Sequence, residues 1–197
     1  MTQITLGVTD HAGQYAELTV ELAVAGSDRV PVLPGSDLGV AAAATCPGDT
    51  LLLGAGTYQG VTLQHANLEG EGQGMSIIEG GLGLAPRGVP SLSVASLTVI
   101  GGVSLDRGGA TLRDVEVTNS PGFGFHTYNN PFDILVENSN FHHNQGHGLF
   151  FDVASATVRG STLRSMPMGP CSQRPIASRS ARATFTTIAA PACASRT

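Results

Sequence analysis

One stretch of this chain repeats itself, and the repeating unit is too short to hold a helix. Leu112-Arg-Asp-Val-Glu-Val-Thr-Asn-Ser-Pro-Gly-Phe-Gly-Phe125 parallels Val136-Glu-Asn-Ser-Asn-Phe-His-His-Asn-Gln-Gly-His-Gly-Leu149. Val117 corresponds to Phe141, Asn119 to Asn144 and Gly124 to Gly148, at offsets of 24, 25 and 24. Val158-Arg-Gly-Ser-Thr-Leu163 then repeats Val136 to Phe141 at an offset of 22. Upstream lie more short β-runs, among them Val61-Thr-Leu63, Leu97-Thr-Val-Ile100 and Val103-Ser-Leu105, closed by Gly or Asn. None of the gaps between them has room for a crossover helix, which excludes a doubly wound α/β sheet. A period of this size with such short strands predicts a solenoid whose turns each hold three strands. Neighbouring turns would stack as parallel strands roughly 4.8 Å apart. Inward Val, Ile, Leu and Phe would form columns, with Gly and Asn at the bends, where φ turns positive. Asn119 and Asn144, placed at one bend in successive turns, would form a hydrogen-bonded ladder. An antiparallel sandwich is the competing use of the same strands; the recurrent N-x-G-x-G phase favours the solenoid.

Composition narrows the classes further. Charged residues make up 13 % of the chain, Trp and Lys are absent, and there are 26 Gly and 11 Pro. A helix bundle would need far more Ala, Glu, Lys and Leu at helical spacing. The net charge is −5, and residues 1–165 carry six Arg against all fifteen acids. That balance argues against a nucleic-acid partner. No uninterrupted apolar run approaches the ~18 residues of a membrane span. The start, MTQITLGVTD, has neither the basic nor the apolar region of a signal peptide.

The two ends differ from the repeat. Residues 1–24 alternate apolar and polar positions in two runs around Asp10-His-Ala-Gly13 and read as a β-hairpin. A hairpin alone is marginal in water, so it reads as the end of a larger sandwich. Residues 25–37, with two Pro and two Gly, read as a linker, and 38–165 as the solenoid. Residues 166–197 lose the rhythm and hold four Arg and no acid. They read either as a disordered tail or as a shift of reading frame out of a solenoid that continued. On that reading the chain is a fragment of a larger surface protein. Cys46, Cys171 and Cys193 give an odd count; a Cys171–Cys193 bridge and three unrelated thiols both stay open.

Two resemblances follow from these residues. Ile4-Thr-Leu-x-Val-Thr-Asp-x-x-Gly-x-x-Ala-x-Leu-Thr-Val20 resembles the last two strands of bacterial immunoglobulin-like or PKD-like modules. Cys46-Pro-Gly-Asp-Thr-Leu-Leu-Leu-Gly-Ala-Gly-Thr-Tyr58, followed by Gly70-Glu-Gly-Gln-Gly-Met-Ser-Ile-Ile-Glu-Gly80, resembles the opening turns of right-handed parallel β-helix proteins of the pectate-lyase-like superfamily. The resemblance covers roughly residues 40–165. It implies an all-β, right-handed parallel β-helix with a short capping helix at Leu38–Thr45. It also implies an extracellular or cell-surface location, with any leader upstream of this start, and a polysaccharide or cell-surface glycan as partner. The function expected is a structural or carbohydrate-binding scaffold. The alternative is the N-terminal part of a polysaccharide lyase or glycoside hydrolase acting on acidic polysaccharide.

Candidate chemistry gathers in one region. His126, His142, His143 and His147 fall within 22 residues, flanked by Asp133 and Asp152. The candidate catalytic groups are His126, Asp133, His143, His147 and Asp152. In the solenoid phase His126 falls beside Phe150, whereas His142 and His143, adjacent on one strand, point to opposite faces. At most one of that pair shares a side with Asp114 or Glu116 of the turn below. Gly146-His147-Gly148 and Asn119-Ser-Pro121 resemble segments of polygalacturonase-type hydrolases, but the acidic motifs of those enzymes are missing. Without converging groups these histidines are polar surface of the repeat. Phe123, Phe125, Tyr128 and Phe132 are candidates for a sugar-stacking platform, with core or loop packing as their plainer use. No cofactor and no metal site is expected; Ca²⁺ would need an acidic cluster that the sequence does not show.

Overall fold

In the computed structural model, residues 2–9, 11, 13–22, 27–128, 130–152, 155–165, 176–179 and 182–186 are described. Two sheets form. One is an antiparallel hairpin of β1 (Thr2–Thr9) and β2 (Tyr15–Leu22), in register from Thr2 opposite Leu22 to Thr9 opposite Tyr15. The other holds sixteen strands, every pairing in it is parallel, and it coils through about six turns. The chain is therefore an all-β parallel solenoid.

Three faces make each turn. The first runs through β3 (Arg29–Val32), β4 (Thr50–Leu53), β6 (Asn67–Gly70) and the first halves of β8 (Ser91–Ile100) and β10 (Gly109–Thr118). It continues with β12 (Asp133–Glu137), β15 (Ser155–Arg159) and β18 (Arg182–Thr186). The second takes the first halves of β5 (Gly56–Leu63) and β7 (Ser76–Leu84), the second halves of β8 and β10, then β13 (Asn140–Asn144) and β16 (Thr162–Ser165). The third takes the second halves of β5 and β7, then β9 (Val103–Asp106), β11 (Phe125–Tyr128), β14 (Leu149–Asp152) and β17 (Ile176–Arg179).

The core is a set of columns, one per inward position. Tyr58, Ile78, Val99, Val117, Phe141 and Leu163 stand in register on the second face, all at most 1 % exposed. Leu51, Leu68, Val94, Leu112, Val136 and Val158 do the same on the first. Leu82, Val103, Phe125 and Leu149 fill the third. On the outside of the first face Glu137 bridges Arg113 at 2.6 Å and Arg159 at 2.5 Å, tying three turns together. Arg113 first, then Arg159, holds the Glu137 carboxyl below the usual carboxylate range.

The bends differ from the Asn ladder expected. Between the first two faces a single left-handed residue turns the chain, and Ser96, Asp114, Asn138 and Gly160 take that place in successive turns, at φ of 54°, 52°, 50° and 60°. Thr118 pairs with His142, so Asn119 corresponds to His143 and not to Asn144. Both are left-handed, at φ of 54° and 53°. The lone offset of 25 was a one-residue slip. Asn144 is buried beside Ser120, accepting from its N–H at 2.9 Å and donating to the Val117 carbonyl at 3.2 Å. A side-chain ladder does form one bend earlier, from serines. Ser139 Oγ accepts from Val115 N–H and Ser161 Oγ from Ser139 N–H, each at 3.2 Å.

The solenoid extends beyond both sequence boundaries. Arg29–Val32, inside the stretch read as a linker, is a strand of the first face, because its alternate residues continue the columns: Val30 pairs with Leu51 and Val32 with Leu53. After it, Asp37 accepts from Gly39 N–H and Val40 N–H, and α1 (Leu38–Ala43) begins there. Leu38 and Ala42 join the core, and His65 Nε2 meets the carbonyls of Ala42 and Thr45 at the helix end. Asp49 of the Cys-Pro-Gly-Asp motif is buried and accepts from Asp28 N–H and Cys46 N–H, holding strand and helix exit together. Cys46 is a free, exposed thiol. Within the region read as a tail, Ile176–Arg179 and Arg182–Thr186 stack on β14 and β15. Cys171, Cys193 and the remainder of 166–197 lie outside the described residues.

Phe141 sits at 0 % exposure between Val117 and Leu163. Phe141→Ala is expected to cost ~3–5 kcal/mol in urea unfolding; a loss under about 1 kcal/mol would mean the column is not packed as described.

Candidate functional site

The loop after β10 and the loop after β13 leave the repeat at the same corner, between the second and third faces. Each carries aromatic rings outward. Phe123 stacks on Phe150 at 4.7 Å between centroids and 11° between planes, and on His147 at 5.8 Å and 3°. His126 meets Phe123 edge-on at 6.0 Å and Tyr128 at 4.8 Å. His126 pairs with Phe150 in the strand register, as the sequence phase required. Its Nδ1 is buried without a hydrogen-bond partner, and burial pushes its pKa down.

Beside this cluster lies an open groove of about 640 Å³ along the third face. Phe123, His126 and Tyr128 wall one end; Gly60, Gly80, Gly81, Gly101 and Gly102 form much of its floor. Those glycines first serve stacking. A Cβ on Gly60 would come within 2.5 Å of the Gly81 carbonyl oxygen, and one on Gly101, at φ 111°, within 2.8 Å of Gly81 N. With no side chains at these positions, backbone itself lines this part of the groove. The lining contains no Asp, Glu, Lys or Arg.

The four candidate aromatics separate. Phe123 and Tyr128 edge the groove, with Tyr128 57 % exposed. Phe125 is fully buried in the third-face column and is a core residue, out of reach of a ligand. The reason is local: Phe125 opens β11, while Phe123 precedes the strand and escapes its alternation. Phe132, 48 % exposed, lies with Asp133 in a different hollow on the first face.

The candidate acids and bases are likewise dispersed. His126 and His147 flank Phe123, Asp133 belongs to the first-face hollow, and Asp152 ends β14. His143 belongs to a second cluster, on the second face. There His142 and His143 do not point apart. The left-handed turn at His143 and the register break after Phe141 swing both rings to one side, at 4.7 Å between centroids. His142 Nε2 lies 2.8 Å from Glu116 Oε1, and Thr98 donates to Glu116 Oε2 at 2.7 Å. Gly74 N–H donates to Thr98, and Gln73 to Asp114, so four turns contribute. Burial pushes the Glu116 carboxyl up, but the hydrogen bonds from Thr98 and His142 outweigh it and hold it below the usual carboxylate range. Sequence reasoning allowed at most one of the two histidines on the side shared with Asp114 or Glu116, and it left Thr98 and Gln73 unmarked. Their signal is register: Thr98 pairs with Glu116, and Thr118 with His142. Among the described residues no group of three or more His, Cys, Asp or Glu is arranged to hold a metal ion.

Comparison with protein-family models, with curated proteins and with solved structures finds no match for this chain. Among the described residues the one helix has six residues, and none is long and apolar enough to cross a membrane.

Glu116 gives a pH dependence. Its folded pKa is depressed, so the unfolded chain takes up that proton first. The stability it contributes is full above the ordinary glutamate range and is lost as pH falls through the lowered folded value. The gap in unfolding midpoint between the native chain and Glu116→Gln should therefore be widest near neutrality and narrow on acidification. A gap that widens toward acid would contradict this.

Proposed function

We propose that this chain is part of a secreted or cell-surface right-handed β-helix of the pectate-lyase-like kind, and that it serves as a carbohydrate-binding scaffold. The groove on the third face carries the reading. It is open, the rings of Phe123, His126 and Tyr128 line it, and backbone and hydroxyl groups line the rest. Those are the means by which a protein holds a sugar chain: rings against the apolar faces of pyranoses, fixed polar groups against hydroxyls. The hairpin at residues 2–22 supports the surface location through its likeness to the last strands of immunoglobulin-like modules. The absence of charged side chains from the lining favours a neutral glycan over an acidic one.

The enzyme alternative draws on Glu116 and His142. A glycoside hydrolase needs one carboxyl that stays protonated to act as acid and a second that is ionised. The Glu116 carboxyl is held below the usual carboxylate range by its hydrogen bonds, the direction that suits the second role and opposes the first, and the scaffold reading is the better supported.

Affinity electrophoresis through gels containing neutral or acidic polysaccharides tests this. Retardation by a neutral glycan is expected, and Phe123→Ala or Tyr128→Ala should weaken it about tenfold, near 1.4 kcal/mol. No retardation by any glycan would overturn the reading; retardation by acidic glycans alone, with cleavage, would turn it toward the lyase or hydrolase alternative.

A further inference from the structure

The histidine pair on the second face is built in a way that neither the solenoid nor the groove requires. Three observations converge on it. The Nδ1 atoms of His142 and His143 face one another at 2.5 Å. His143 sits at φ 53°, a conformation that costs a side-chain-bearing residue energy and that Gly takes freely. The neighbouring turn fills the same position with Asn119 at φ 54°, so the bend accepts other residues and the ring is not demanded by it. Finally, Glu116 Oε1 accepts from His142 Nε2 at 2.8 Å, and Glu116 is itself oriented by Thr98 at 2.7 Å.

That last contact fixes the tautomer. With the proton on Nε2 and the carboxylate ionised, His142 Nδ1 is an acceptor, and His143 Nδ1 donates to it across 2.5 Å. A bound ion would take the place of that shared proton, which moves to His143 Nε2. A ligating histidine is commonly held in this manner, its far nitrogen donating to a carboxylate that fixes the ring and raises the basicity of the near one. Thr118 Oγ1 stands 3.3 Å from the same Nδ1. His143 is exposed and His142 half-buried, so the space beside the two nitrogens opens to water.

We propose that His142 Nδ1 and His143 Nδ1 form a binding site for a borderline divalent transition ion, Cu²⁺ or Zn²⁺. Two neutral imidazoles suit such ions and not Ca²⁺ or Mg²⁺, which take oxygen. Water completes the coordination shell, with the Thr118 hydroxyl beside it. Glu116 is a positioning residue: it holds His142 in the ligating tautomer without touching the ion. The site rests on the second-face geometry alone and stands or falls apart from glycan binding in the groove.

Calorimetric titration of the full chain with ZnSO₄ and with CuCl₂ near neutral pH tests it, together with electron paramagnetic resonance of the copper form. Saturable binding of one ion is expected, with hyperfine structure from two equatorial nitrogens. His143→Gly keeps the left-handed bend without strain, so its circular dichroism and melting should match or exceed the native chain while the one-ion binding is lost. Glu116→Gln should weaken binding 10- to 100-fold. His11→Ala, in the hairpin turn, should leave it unchanged. Absence of saturable binding, survival of the isotherm in a folded His143→Gly chain, or equal affinity in Glu116→Gln would overturn the assignment.

Discussion

Within the solenoid, an interior strand has its hydrogen-bond partners in the turns before and after it. A three- or four-residue strand has no independent stability. What stabilises it is the stack: parallel pairing on both edges and an inward side chain seated on its counterpart one turn away. Once Tyr58, Ile78, Val99, Val117, Phe141 and Leu163 are aligned, a one-residue slip in any turn would send its apolar set to solvent. That cost locks the register, and the register decides which polar residues meet outside.

The bends carry the variation that a stack can tolerate. At the first corner one left-handed residue suffices, and Ser, Asp, Asn and Gly all serve. At the second corner the early turns use glycine pairs such as Gly101-Gly102, whose neighbours leave no room for a Cβ. Later turns widen into loops that carry Phe123 and His147. The same corner is thus a glycine strip at one end and an aromatic wall at the other. A groove results without any departure from the repeat beneath it.

Two chemistries sit on adjoining faces and remain separate. The third-face groove has no Asp, Glu, Lys or Arg in its lining, and burial pushes the pKa of its histidine, His126, down. The second face gathers charge and hydrogen bonds along Thr98, Glu116 and His142. The third-face lining is uncharged, whereas the second face holds a carboxylate with a hydrogen bond on each oxygen, so the two surfaces differ in their electrostatics.

The repeat was legible because columns impose a period on the apolar residues, and Val117, Phe141 and Leu163 show it directly. Arg29–Val32 was hidden among Pro and Ser that read as a linker, and Ile176–Arg179 lacked the Gly and Asn anchors that mark a turn. Asn119 and Asn144 misled because identical residues suggested one position, while pairing put them a residue apart. What the sequence by itself determined is the all-β class, the turn length and the core columns, since these follow from spacing along the chain. Only the tertiary structure decided that Phe125 is core while Phe123 is wall, that His142 and His143 share a side, and that Glu116 reaches His142. Those facts depend on a left-handed residue, a strand's first position and a diagonal contact between turns, and none of the three leaves a periodic mark.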